Sequence, residues 1–206
     1  QLAREACEIE IDILKEPIGK QDQYAAAYGG FNKISFYANG HVDIEPIIMD
    51  PEVFEKLQSN LLMFYLGSTR KASDVLYDQK QNILSDKTKF NALSEMKDLT
   101  IEIQKCMIDS NLDQFGKLLD YNWQLKKSLS KKISRSDIDD IYELGVKNGA
   151  IGGKVLGAGG GGFILFYCEE LFHNKLRNAL KQLRELSFKF ERTGSKIIYV
   201  GDTLKE

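Results

Sequence analysis

"KVLGAGGGGFILFYC", residues 154–168, sets five of the chain's 17 glycines within the six positions 157–162, between two apolar runs. Such a stretch suits a dinucleotide fingerprint, a phosphate-cradling loop of another kind, or a tight turn with no ligand. Residues 157–162 satisfy G-x-G-x-x-G, but the dinucleotide fingerprint needs a strand before it and a helix after it. Here "FILFYC" follows, a bulky apolar run that reads as a strand. No Lys-Ser or Lys-Thr closes the loop, so it is not a Walker loop either. A plain turn between strands requires one or two glycines. Several in succession let backbone N–H groups converge on an anion, or let a ligand approach closely. A phosphate or substrate loop is the favoured reading. A ligand-free loop packed against another backbone stays open beside it.

Outward from this loop, "IGGKVLG" and "FILFYC" read as two strands. Residues 171–186, "LFHNKLRNALKQLREL", read as an amphipathic helix with Leu176, Leu180 and Leu183 on one face. "FKFER" (188–192) and "KIIYV" (196–200) read as strands joined through Thr193-Gly194-Ser195. Upstream, residues 68–149 carry no proline and mix polar and apolar residues at helical spacing, with fresh starts at Asn111 and Ser136. "LLMFYLG" (61–67) is a short buried strand, and the pattern breaks around Pro46 to Pro51. "NKISFYANGHVDIEPI" (32–47) is a β-hairpin turning at Asn39-Gly40. The order from residue 61 is strand, helices, strand, strand, helix, strand. That is an α+β order, compatible with a ferredoxin-like sheet carrying extra helices.

The chain's opening, "QLAREACEIEIDIL", has Leu2, Ala6, Ile9 and Ile13 at helical spacing, and the helix should stop near Lys15 because Pro17 disfavours helix at Glu16. It has no initiator Met and no cap, so the expectation is a chain that begins inside a larger protein. The 206 residues are 43% hydrophobic and 28% charged, with a net charge of −2. This is an ordinary globular composition without the concentrated basic face that nucleic acid or an anionic membrane would want. Cys7, Cys106 and Cys168 are far apart and odd in number, and read as reduced thiols of a cytoplasmic protein. With only His41 and His173 beside them, no zinc-ligand cluster is visible. No apolar run reaches membrane-spanning length.

The second unusual stretch is "GKQDQYAAAYGG", residues 19–30, read as a loop. Asp22 stands there among Lys20, Gln21 and Gln23, side chains able to fix a sugar or order a phosphate by hydrogen bonding. A loop carboxylate is also an ordinary solvated or capping group, and that reading stays open.

Together these stretches resemble the GHMP kinase superfamily. "KVLGAGGGGFILF" is similar to its third, glycine-rich motif, and "GKQDQ" to the segment bearing its catalytic aspartate. "EACEIEIDIL", "IGKQDQYAAAYGGFN", "LLMFYLGSTRKAS", "NWQLKKSLS" and "IYELGVKNGAIGGKVLGAGGGGFILF" resemble most the branch of heptose 7-phosphate kinases and related bacterial sugar kinases. The resemblance runs over essentially the whole chain. The family's first motif and its second, a Gly-Leu-Gly-Ser-Ser type that wraps the ATP phosphates, are not in these residues. What the resemblance implies is the C-terminal portion of such a kinase: residues 1–56 as the end of an N-terminal domain (helix, aspartate loop and hairpin) and residues 57–206 as a ferredoxin-like C-terminal domain. It implies ATP and Mg²⁺ as cofactors and a sugar phosphate as substrate. Asp22 would be the catalytic aspartate, and Glu10, with Glu8 as second choice, the magnesium carboxylate. Gly157, Ala158, Gly159, Gly160, Gly161 and Gly162 would face the phosphates, and Gln21, Gln23, Tyr28, Gly29 and Gly30 the substrate. Thr69, Arg70, Lys126 and Lys127 match positions of the heptose-kinase branch, where cations suit a substrate that already carries a phosphate. Trp123 reads as core. The fucose-kinase-like branch shares much of this pattern, so the sugar stays open.

The expected function is ATP-dependent phosphorylation of a sugar or sugar phosphate, with no nucleic-acid or membrane partner. A non-catalytic sugar-phosphate-binding module is the alternative. Apolar surface left exposed on such a chain makes a homodimer a further expectation.

Overall fold

The computed structural model describes residues 1–68 and 71–199. Two compact units divide at Pro46/Ile47, where the sequence suggested 56/57. The first comprises Gln1–Pro46 and the described residues from Phe190 on; the second is Ile47–Lys189.

In the first unit, α1 (Leu2–Cys7) continues as a π-helical turn, Glu8–Ile13. Helix α2 (Gln21–Tyr28) follows, then the hairpin of β1 (Asn32–Phe36) and β2 (Val42–Pro46). The hairpin's register, Phe36↔Val42 to Asn32↔Pro46, closes around Asn39-Gly40 as expected, with Gly40 at φ +85°. Ala3, Cys7 and Tyr24 form a small core, with Ile11, Ala27, Ile34, Val42 and Ile44 packed on it. Residues 21–28, expected as a loop, are helical. Three consecutive alanines are strong helix formers, and Gly29 at φ +60° ends the helix.

The second unit opens with α3 (Pro51–Ser59), which the sequence reading missed. Asp50 caps it by accepting from the Glu52 N–H, with Pro51 in the first turn. β3 (Leu61–Tyr65) follows, then α4 (Ala72–Ser85), α5 (Lys87–Ile108), α6 (Leu112–Leu129) and α7 (Ser136–Lys147). Asn111 caps α6 through the Gln114 N–H. β4 (Ala150–Val155) and β5 (Phe163–Cys168) flank the glycine loop; α8 (His173–Ala179) and β6 (Arg184–Leu186) complete the unit. The sheet is antiparallel with order β4-β5-β3-β6, the order of a ferredoxin-like sheet. Trp123, Phe64, Phe166, Leu129, Ile133, Ile138, Ile164, Leu176 and Leu180 are all but fully buried between sheet and helices. Trp123 is core, as read from the sequence. Gly152 lets α6 lie directly on β4: a Cβ there would overlap the Gly116 carbonyl.

Two expectations fail near the C-terminus. The helix expected over 171–186 stops at Ala179, because Arg184–Leu186 pair with the free edge of β3 through Tyr65↔Arg184 to Met63↔Leu186. Arg177 reaches Glu185 with Nε–Oε2 at 2.8 Å and Nη2–Oε1 at 2.9 Å, which pins that turn. "FKFER" is not a strand, and neither are residues 196–199; Val200 lies outside the described residues. With β6 already on that edge, the chain rejoins the first unit. There the Gly30 N–H donates to Glu191 O (2.8 Å), the Ser195 N–H donates to Ala27 O (3.2 Å), and Phe190 meets Phe31 edge to face.

Candidate active site

The first unit, taken by itself, carries the carboxylates Glu10 and Asp22. The π-helical turn carries Glu10, half-buried; such turns widen the helix and recur at functional sites. Facing it is the first turn of α2, where Gln21 and Asp22 are exposed and Gln23 is buried. Gln23 Nε2 donates to Glu10 Oε2 at 2.8 Å. Glu10 is therefore oriented by the side chain that follows Asp22. Asp22 sits at a helix start, where the helix dipole favours a negative charge. Gln23 Oε1 is buried with no hydrogen-bond partner among the described residues. A carboxylate such as Glu10 is the kind of hard oxygen donor a magnesium ion takes. Among the described residues no group of three or more His, Cys, Asp or Glu gathers to hold a metal, so any ion at Glu10 would take phosphate or water oxygens as well.

Tyr28 is exposed and stacks on Tyr24 with ring centroids 6.3 Å apart. Gly29 and Gly30 are engaged by the backbone of residues 191–195: a Cβ on Gly29 would overlap Gly194, and the Gly30 N–H is bonded to Glu191.

The second unit, by itself, contains the glycine loop, with all five of its glycines at positive φ. Half of the loop is tied down. The Gly160 N–H donates to Ile133 O and the Gly162 N–H to Ser68 O, both at 2.7 Å. Backbone approach is close at two places: a Cβ on Gly159 would come within 2.7 Å of Ile133 O, and one on Gly161 within 2.6 Å of Ser68 O. The other half is free. The N–H groups of Gly157, Ala158, Gly159 and Gly161 have no hydrogen-bond partner among the described residues. Some of the loop's glycines thus serve backbone contact, while four of its N–H donors have no partner among the described residues.

Arg135, just before α7, clamps this arrangement and was missed by the sequence reading. Its Nη1 donates to Gly160 O at 3.0 Å and its Nη2 to Ser68 Oγ at 3.3 Å. Asp137 holds the guanidinium in place through Nε (2.9 Å) and Nη2 (2.7 Å). The only sequence signal was an Arg-x-Asp at a helix start, which is common on surfaces.

The two lysines of "NWQLKK" part company. Lys127 pairs with Asp139 at 3.1 Å and lies 5.9 Å from the Tyr142 ring centre, a structural role. Lys126 turns the other way and donates to the Gly157 carbonyl. Burial, and secondly the neighbouring Lys154, push its ammonium down to about 8. Burial lowers Lys154 as well. Thr69 and Arg70 lie outside the described residues.

Residues 103–191 match the family "GHMP kinases C terminal". The chain carries a GHMP kinase C-terminal domain. Around that domain the likeness extends over nearly all of the chain. It is 31% identical over 201 residues to the D-glycero-alpha-D-manno-heptose 7-phosphate kinase of Campylobacter jejuni, covering 95% of this chain and 58% of that protein. A bifunctional fucokinase/GDP-fucose pyrophosphorylase of Arabidopsis thaliana is 26% identical over 83% of this chain and 16% of its own length. Among solved structures, a D-glycero-D-manno-heptose 1-phosphate kinase of Bacteroides thetaiotaomicron superposes with a TM-score of 0.66 at 26% identity, covering 96% of this chain and 55% of that one. The GHMP kinase fold is thus the fold of this chain, which spans somewhat over half the length of the heptose kinases it matches. Among its described residues no helix is long and apolar enough to cross a membrane.

Proposed function

We propose that this protein serves the ATP-dependent phosphorylation of a sugar phosphate, D-glycero-D-manno-heptose 7-phosphate at its anomeric hydroxyl. The observation that carries the reading is the likeness to a heptose 7-phosphate kinase across 95% of the chain. The geometry supports it. Asp22, exposed at the start of α2, would orient the sugar hydroxyl and accept its proton. The hydroxyl oxygen then bonds to the γ-phosphorus as the bond from that phosphorus to the ADP oxygen breaks. Phosphoryl transfer depends chiefly on positioning and on stabilising charge over the phosphoryl oxygens. The unspent N–H groups at Gly157, Ala158, Gly159 and Gly161 suit that task. Glu10, oriented by Gln23, is the candidate magnesium ligand, and the ion when bound would supply charge neutralisation at the phosphates. Gln21, beside Asp22, is the nearest candidate for a hydrogen bond to the sugar.

The test is turnover of ATP with heptose 7-phosphate by the longest natural reading frame that contains these residues. Asp22→Asn is expected to lose about 10²- to 10⁴-fold in kcat. A correctly folded variant with unchanged turnover would remove Asp22 from the chemistry. The likeness to a fucokinase supports a second reading, an unphosphorylated sugar as substrate; preferential turnover of fucose over heptose 7-phosphate would select it.

A further inference from the structure

In the second unit, α5 differs from α6 and α7 in what it turns outward. The exposed positions of α6 include Asp113, Lys117, Gln124 and Ser128, and those of α7 include Asp137, Asp140, Glu143 and Lys147. On α5 the outward line is Phe90, Ile101 and Ile108, exposed by 56%, 63% and 54%. At about 100° per residue the three fall within about 20° of one another, and they run about 27 Å along the helix. Leu93 flanks the line and Lys97 interrupts it, while Leu99, Cys106 and Met107 on the opposite side are buried. Large apolar residues aligned along one exposed helix face mark a surface that meets another protein; scattered ones do not.

The charges of α5 point to what covers this face. In residues 87–97, Lys87, Lys89 and Lys97 outnumber Glu95, which is itself engaged by the Tyr121 hydroxyl. Asp86, ahead of them, is spent on the Thr88 N–H. In residues 98–109, Asp98, Glu102 and Asp109 outnumber Lys105. The helix is thus positive at its start and negative at its end. Lys87 and Lys89 stand in the first turn, where the helix's own dipole disfavours positive charge. Lys87, Glu102 and Asp109 have no ion pair or side-chain hydrogen bond among the described residues, and Lys97 reaches only its exposed neighbour Asp98, at 3.6 Å. Such a face is complementary to itself turned end for end.

We propose that this face docks a second copy of the chain, α5 lying antiparallel on α5 about a two-fold axis. A two-fold contact uses the same patch on both copies and is the commonest form of self-association. Centred midway along the line, it sets Phe90 of each copy against Ile108 of the other, and Ile101 against the aliphatic stem of Lys97. The Lys97 ammonium then lies near Asp98 and Glu102 of the other copy, and Lys87 near Asp109. A parallel pairing would set like charges together, which works against it. The contact is independent of the function proposed above.

Sedimentation equilibrium of the 206-residue chain, and of the longest natural reading frame that contains it, tests this. Both are expected to dimerise reversibly. Ile101→Asp, at an exposed position, is expected to weaken the dimer about thirtyfold or more. Lys87→Glu and Asp109→Lys are each expected to weaken it about tenfold. The double variant should dimerise like wild type, and so should an equimolar mixture of the two single variants, because each then meets its opposite charge on the other copy. Thermal melting at concentrations below dimerisation separates lost association from lost folding, and all four variants are expected to fold. A dimer that Ile101→Asp leaves intact overturns the proposal. So does a longest reading frame that stays monomeric at millimolar concentration, which would give the face to the rest of that chain or to solvent. Single charge variants that neither the double variant nor the mixture rescues overturn the antiparallel arrangement.

Discussion

The two units solve the problem of placing charge differently. In the first, Glu10 and Asp22 stand on short helical segments over a core of Ala3, Cys7 and Tyr24, and a single side-chain hydrogen bond from Gln23 sets the carboxylate. In the second, the glycine loop is anchored between β4 and β5, strands whose Val155, Ile164 and Phe166 are fully buried. It is also tied to Ile133 and Ser68 and clamped by Arg135. The contrast suits the chemistry each would do. A loop that must present N–H groups to a phosphate gains from rigidity, since donors set beforehand need no reorganisation when charge develops. A carboxylate that takes a proton needs less scaffold, because its own side chain can adjust.

If the second unit holds most of the stability, truncating its core should cost most. Phe166→Ala is expected to lose about 3–5 kcal/mol in denaturant unfolding, and Cys7→Ala in the first unit about 1 kcal/mol. Equal losses would break the comparison. Next in size is Arg135→Ala, which deletes the clamp and leaves Asp137 unpaired; about 1–3 kcal/mol is expected. Rigidity of the loop predicts that phosphate affinity falls with it, while Arg135→Lys recovers the charge but not the fork. Unchanged phosphate binding in Arg135→Ala would show that the loop needs no clamp.

The smallest effect sharpens the picture by pH. The folded-state value of Lys126, about 8, lies below its ordinary 10.5. The unfolded chain therefore binds more protons between those values, and stability should rise with pH across that window. Below about pH 8 the cost of the charged lysine is fully present. Lys126→Met is accordingly expected to be more stable than wild type at pH 7, by about 1 kcal/mol after allowing for its partial exposure. That advantage should vanish towards pH 10.5. A variant less stable at pH 7 would mean that Lys126 is already compensated without a ligand.

Much of this was legible in local sequence. The hairpin at Asn39-Gly40, the strand at 61–65, the α6 cap at Asn111 and the strand–glycine–strand order each depend on residues within one turn or one period of each other. Less legible was the aspartate segment: "AAA" pointed to helix, but the neighbouring glycines and polar residues suggested a loop. Lys154 drew no notice because its burial, which lowers its pKa, is set by the tertiary packing around β4.

Sequence alone thus determined the α+β order, the family resemblance and the residue types from which a phosphate site can be made, because hydrophobic period, caps and glycine runs act over short distances. Tertiary structure decided the rest. It made Arg184–Leu186 a strand by offering the edge of β3, and drew residues 190–195 onto Phe31, Gly30 and Ala27. It turned Arg135 into the clamp of a loop 25 residues away in the chain and left Lys126 and Lys154 without a carboxylate partner among the described residues. A backbone or a charge must be satisfied by whatever lies beside it in space, and no local pattern records that neighbour.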